Sequence, residues 1–210
     1  TPGRQRAGKV GGVEAQEQAK QAAGRAAAAV VTDGMNVGLG TGSTVRYAIE
    51  ALGETGFDLT CVATSSATEE LAGRVGLRLV APDEALHLDI TIDGADEVDA
   101  DLNLTKGGGG ALTREKVVAT MAERFVVVAD RSKVVPRLGP FGTPIEVLPF
   151  APGVVTGHLL GLGAAVRVLG DHGALLLRGV GRAGHEDLEA GVADQLLRLL
   201  LGLADHVRHL

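Results

Sequence analysis

Short apolar runs alternate along this chain with longer stretches of helix-forming residues, and polar loops separate them. Residues 35–40 (MNVGLG), 59–64 (LTCVAT) and 77–81 (LRLVA) have the length and composition of buried strands. In 88–93 (LDITID), Leu88, Ile90 and Ile92 alternate with Asp89, Thr91 and Asp93, the two-residue period of a fourth strand. RFVVVAD (124–130) reads as a fifth. Between them lie 43–54 (STVRYAIEALGE), with Ser43 or Thr44 near the cap, 65–76 (SSATEELAGRVG), with capping-box spacing from Ser66 to Glu69, and 111–123 (ALTREKVVATMAE). A helix from Val13 to Val31 precedes all of these and breaks at Asp33-Gly34.

Strands that alternate with helices predict an α/β fold, a Rossmann-like parallel sheet flanked by helices with right-handed crossovers. It is expected over residues 1–143, with 1–12, basic and Gly-rich, as a disordered tail. A smaller α+β domain is expected over 144–210, opened by a strand in PIEVLPF (144–150) and closed by a Leu-rich helix at 187–210.

Composition narrows the picture. With 45% apolar, 22% charged and only 2% aromatic residues, the chain is globular and its core must be built from Val, Leu, Ile and Ala. A net charge of −6 argues against nucleic acid as a partner. The single cysteine, Cys61, excludes an internal disulfide framework and fits a reducing compartment; within LTCVAT it reads as a buried, inert thiol. No apolar run reaches the roughly 18 residues of a membrane span, and the N-terminal stretch lacks a secretory apolar core, so a cytoplasmic protein is expected.

Four strands run into loops of unusual chemistry: GTGST (40–44), TSSAT (64–68), DGADE (93–97) and ADRSK (129–133). In open parallel sheets, ligands bind beyond the carboxyl ends of the strands, so these loops are expected to face one crevice. GLGTGST lacks the third glycine of a dinucleotide fingerprint and the Gly-Lys of a Walker loop. What remains is either a one-phosphate cradle of amides and hydroxyls at a helix start or simply a tight turn with a cap. Asp93 and Asp96, separated by the small Gly94 and Ala95, are either reacting carboxylates open to a close ligand or an Asx turn. Neither a histidine nor a Cys/His cluster falls in these loops, so no metal site is expected.

KGGGGALTREK (106–116) sets a glycine run against a helix start. Its amides can cradle a developing oxyanion beside the Lys106 charge, with Glu115 reaching back as a base; alternatively it is a hinge before a solvated helix. A phosphate cradle, two carboxylates, a lysine, an amide nest and a base together suit proton abstraction next to a carbonyl.

In this order and spacing, GLGTGST, IDGADEVD, KGGGGALTREKVVA and VVADRSK resemble ribose-5-phosphate isomerase of the A type over residues 20–150. The resemblance implies interconversion of ribose 5-phosphate and ribulose 5-phosphate through an enediolate, with no metal or cofactor. It implies that Glu115 moves the proton between C2 and C1, and that Asp93 and Asp96 handle ring opening and hydroxyl protons. Lys106 and the amides of Gly107, Gly108 and Gly109 would then form the oxyanion and substrate cradle. Thr41, Gly42, Ser43 and Thr44 match a substrate-binding TGST, Gly94 and Ala95 admit the sugar, and Lys133 matches a substrate-binding lysine. Lys20 stands where the family often has a phosphate-side lysine. The implied assembly is a homodimer or homotetramer. Residues 151–210 depart from the family's second domain. Two other readings are a non-catalytic sugar-phosphate sensor and another activity on a related fold, such as a glucosamine-phosphate isomerase or coenzyme A transferase.

Overall fold

The protein is described from a computed structural model that covers residues 4–85, 87–148, 150–169 and 174–179. The chain divides into two units, Thr1–Arg137 and Leu138–Leu210, so the division comes ahead of Thr143.

In the first unit, β1 (Asn36–Leu39), β2 (Thr60–Ala63), β3 (Arg78–Leu79), β4 (Leu88–Gly94) and β7 (Ala122–Val128) form one parallel sheet in the order β3-β2-β1-β4-β7. A short antiparallel pair, β5 (Glu97–Val98) and β6 (Leu104–Thr105), follows β4. The chain winds outward from β1 to β3, then returns to place β4 on the other side of β1. The β1–β4 boundary is therefore the switch point where a crevice opens at the carboxyl edge.

Helices cover both faces. One face carries α1 (Arg4–Ala28), α2 (Val45–Gly53) and α3 (Ser66–Arg74), packed on Val37, Leu39, Cys61, Ile90 and Ile92. In α2 the buried positions Val45, Ala48, Ile49 and Leu52 follow the helical repeat that turns one stripe inward. The other face carries α4 (Pro82–Ala85) and α5 (Leu112–Thr120), packed around Val62, Leu88 and Val118.

A central strand covered on both sides has no solvated face, and β4 shows the consequence. Two of its three polar positions are buried as deeply as the apolar ones, Thr91 and Asp93 both being 0% exposed, while Asp89 near the start of the strand is part-buried. Room for them comes from β1. Gly38 lies opposite Thr91, and a Cβ on Gly40 would fall 2.2 Å from Asp93 Oδ1. The glycines of VGLG thus let two polar side chains of the neighbouring strand lie flat against the backbone.

Three local expectations need correction. Helix α1 begins at Arg4, not Val13, so most of residues 1–12 is helical rather than a disordered tail. Arg4, Gln5, Arg6 and Ala7 are good helix formers that offset the glycines at 8, 11 and 12. The cap of α3 is Ser65, whose hydroxyl accepts from the Thr68 amide at 3.2 Å; Ser66 is already the first helical residue. Strand β7 begins at Ala122, because pairing with β4 extends back to Leu88↔Ala122 and ends α5 early.

The second unit is α+β. Strands β8 (Thr143–Glu146), β9 (Ala164–Leu169) and β10 (Ala174–Gly179) form an antiparallel sheet in the order β8-β10-β9. Helix α6 (Pro152–Gly161) opens on a proline, which suits a position whose amide needs no partner. Val147, Leu159 and Ala164 form its core with Ile145, Val155, Leu162 and Val166. β8 is shorter than PIEVLPF, since β10 begins at Ala174 opposite Glu146. The helix expected at 187–210 lies outside the described residues.

Candidate active site

Each group at the site follows from where an element ends. β4 runs out through Asp93 and Gly94, and the β5–β6 pair then brings Asp96 and Lys106 back beside it, with the Asp96 amide donating to Thr105 O at 2.7 Å. The glycine run carries the chain from Lys106 into α5, which places Glu115 in the first helical turn. Gly107 (φ 105°) and Gly110 (φ 76°) adopt left-handed backbone that side chains resist, and this makes the sharp turn between cleft and helix possible.

The result is a trio. Lys106 Nζ lies 2.9 Å from Asp93 Oδ2 and 3.1 Å from Glu115 Oε2, and it donates to the Gly94 carbonyl. Asp93 is fully buried and Glu115 is 6% exposed. Asp93 Oδ1 accepts from the amides of Gly94 at 2.7 Å and Thr41 at 3.2 Å. Among the described residues, the Lys106 ammonium is the one polar group that Asp93 Oδ2 and Glu115 Oε2 meet. Two carboxylates therefore share one ammonium. Burial pushes the Glu115 carboxyl above its ordinary 4.5, and the Asp93 charge pushes the same way. Lys106 only partly pulls it back.

Lys106 and Glu115 open onto a cleft of about 190 Å³ lined also by Thr41–Val45, Gly94–Asp96, Gly107, Gly109, Val128 and Lys133, whereas Asp93 is fully buried behind them and is not part of that lining. Gly42 and Ser43 are exposed at its rim. The Thr44 hydroxyl makes no cap bond to α2. Lys133 ends a 3₁₀ turn, Arg131–Lys133, capped by Asp130, which accepts from the Ser132 amide at 2.8 Å. Gln16 of α1 braces this turn, with its Nε2 3.4 Å from Asp130 Oδ2 and 3.3 Å from Ser132 Oγ.

Two sequence-derived assignments change. The Gly108 amide is spent on Asp96, donating to its Oδ2 at 2.8 Å; of the three glycine amides expected in the cradle, only those of Gly107 and Gly109 border the cleft. Lys20 does not line the cleft. It pairs with Glu17 at 3.4 Å, one turn along α1 from Gln16. Sequence reasoning missed Gln16, which carries no motif, gave Asp130 of ADRSK no role, and read Val45 and Val128 as core. Among the described residues no group of three His, Cys, Asp or Glu side chains is arranged to hold a metal ion, and no helix is long and apolar enough to cross a membrane.

A doubly wound sheet with a desolvated Asp–Lys–Glu trio at its switch point defines a class: α/β proteins equipped to move protons on a small polar ligand. Comparison with known proteins narrows this. The family model of ribose 5-phosphate isomerase A (phosphoriboisomerase A) matches residues 60–176, which carries the match past Phe150 into β10. Ribose-5-phosphate isomerase A of Ruegeria sp. (strain TM1040) is 54% identical over 138 residues, 64% of this chain. This chain spans only 53% of that relative's length. The crystal structure of ribose 5 phosphate isomerase A from Neisseria gonorrhoeae superposes with TM-score 0.77 at 35% identity, covering 85% of this chain and 83% of that one. A D-ribose-5-phosphate isomerase solved with phospho-erythronic acid superposes with TM-score 0.75 at 33% identity, covering 85% and 86%. The chain belongs to the ribose 5-phosphate isomerase A family.

Proposed function

We propose that this chain interconverts D-ribose 5-phosphate and D-ribulose 5-phosphate through an enediolate, as a cytoplasmic homodimer or homotetramer of the non-oxidative pentose phosphate pathway. The observation that carries the reading is the shared ammonium between Asp93 and Glu115. Glu115 is the base: a carboxylate whose proton affinity is raised by burial takes a carbon-bound proton more readily and can return it to the neighbouring carbon. Lys106, with the Gly107 and Gly109 amides, stabilises the oxygen that becomes negative as the proton leaves. Asp93 and Asp96 exchange protons with the sugar hydroxyls and open the ring. Thr41–Thr44 and Lys133 hold the phosphate. Lys20 is a second-tier candidate for the phosphate side, acting on the turn that bears Lys133.

The bound phospho-erythronic acid of the related isomerase, a phosphorylated sugar acid, supports the substrate class. A sensor that only bound such a sugar would gain nothing from burying Glu115 beside a second carboxylate, which costs stability. The deciding experiment is a coupled assay of the purified chain with ribose 5-phosphate against hexose phosphates. Turnover of the pentose alone is expected; turnover confined to hexoses, or none, refutes the reading.

A further inference from the structure

The TSSAT loop has a polar face that the isomerase roles leave unused. Thr64 is 0% exposed and Thr68 4%, yet neither borders the cleft. Their hydroxyls are fully engaged. Thr64 Oγ1 donates to the Leu39 carbonyl at 3.1 Å and lies 2.9 Å from Thr41 Oγ1. The rest form a directed chain: Thr41 Oγ1 donates to Ser65 Oγ at 2.8 Å, Ser65 Oγ to Thr68 Oγ1 at 3.0 Å, and Thr68 Oγ1 to the Gly40 carbonyl at 2.8 Å.

The endpoint matters. The Gly40 carbonyl and the Thr41 amide belong to one planar peptide, so whatever orients the first orients the second. That amide donates to Asp93 Oδ1 at 3.2 Å, and the Gly40 backbone packs against the Asp93 side chain. We propose that Thr68 is a positioning residue for Asp93, acting through the peptide that joins Gly40 to Thr41. The Thr68 hydroxyl holds the carbonyl on the α3 side, which aims the amide at the carboxylate on the other, and each hydrogen bond in such a chain polarises the next. The far end of the loop is anchored separately, by Arg46 N donating to Gly42 O at 3.1 Å and Tyr47 N to Thr44 O at 3.2 Å. Losing the Thr68 bond therefore loosens the Asp93 end and spares Gly42–Thr44.

The kinetic consequence rests on the isomerase reading; the structural one does not. Thr68→Val keeps the shape and deletes the donor, leaving a buried carbonyl unpaired, whereas Thr68→Ser keeps the donor. Thr68→Val is expected to lower kcat about 10-fold and to leave KM within about twofold. Thr68→Ser should restore kcat to within about twofold. Hydrogen exchange at the Thr41 amide, followed by NMR, should speed up about 10-fold in Thr68→Val and stay near wild type in Thr68→Ser. If Thr68→Val does not fold, Ser65→Ala cuts the chain one bond earlier and should lower kcat about threefold. Unchanged kcat and exchange in the folded valine variant, or a serine variant as impaired as the valine one, overturns the proposal. So does a Ser65→Ala protein with wild-type kcat when the valine variant does not fold. Wild-type protein inactive on pentose phosphates refutes the isomerase reading instead, and the exchange rates alone then decide the role of Thr68.

Discussion

The two ends of the cleft are built on opposite principles. At one, Asp93, Lys106 and Glu115 are packed between β4, the β5–β6 pair and α5, with two carboxylates facing a single ammonium. At the other, Gly42 and Ser43 are exposed, and Lys133 stands half-buried on a 3₁₀ turn. A charge that appears only during reaction is best met by groups already fixed and shielded from water, because interactions there are strong and need no rearrangement. A group that arrives already ionised can be held by amides, hydroxyls and a flexible ammonium in contact with solvent, at the cost of screening by salt. The dry end should therefore govern kcat and the wet end KM.

Glu115→Gln tests the dry end most severely. It should cut kcat about 10³-fold while changing KM less than about threefold, in steady-state assays on ribose 5-phosphate. In the wild type, kcat/KM should rise with pH as Glu115 ionises, with its acid limb above the ordinary carboxyl value of 4.5. Lys106→Met should move that limb higher still, since the lysine charge is what holds it down. Next in size, Gly40→Ala puts a methyl into Asp93 and should lower kcat about 10²-fold and reduce the melting temperature. A variant with wild-type kcat would show that Asp93 can move without consequence.

At the wet end, Lys133→Ala should raise KM about 10-fold with kcat within about twofold, and the wild-type KM should itself rise with salt. Equal losses in kcat would erase the distinction between the two ends. The smallest effect is on stability. Because the folded pKa of Glu115 is raised, the native state binds more protons than the unfolded one above the ordinary 4.5. Stability should then fall as pH rises through that window, and Glu115→Gln should flatten the trend in urea unfolding between about pH 4 and 7.

Much of the site was readable because its chemistry sits in short motifs at the ends of strands. Asp93 closes an alternating run, and Glu115 follows a glycine stretch by less than two helical turns. Other features were misread, each for a reason of packing. Gly40 looked like part of an anion turn, but it also makes space for Asp93, a residue on a different strand. Gly108 looked like a cleft donor, but Asp96 lies close enough to take its amide. Ser66 had the spacing of a cap, yet Ser65 has the extended backbone a cap requires. Gln16 was invisible and Asp130 of ADRSK had no assigned role, because a brace between the first helix and the turn bearing Lys133 has no local pattern.

The amino-acid order alone determined the alternation of strands and helices, the loops at which polar groups leave the sheet, and the chemical types available there. Those follow from periodicity, backbone preference and side-chain chemistry, which act over a few residues. Tertiary structure decided which groups share a partner and how far each is removed from water. Proton affinity and charge coupling depend on distances and burial, and the neighbours that set them for Glu115 come from strand β4 and the β5–β6 pair, not from its own helix.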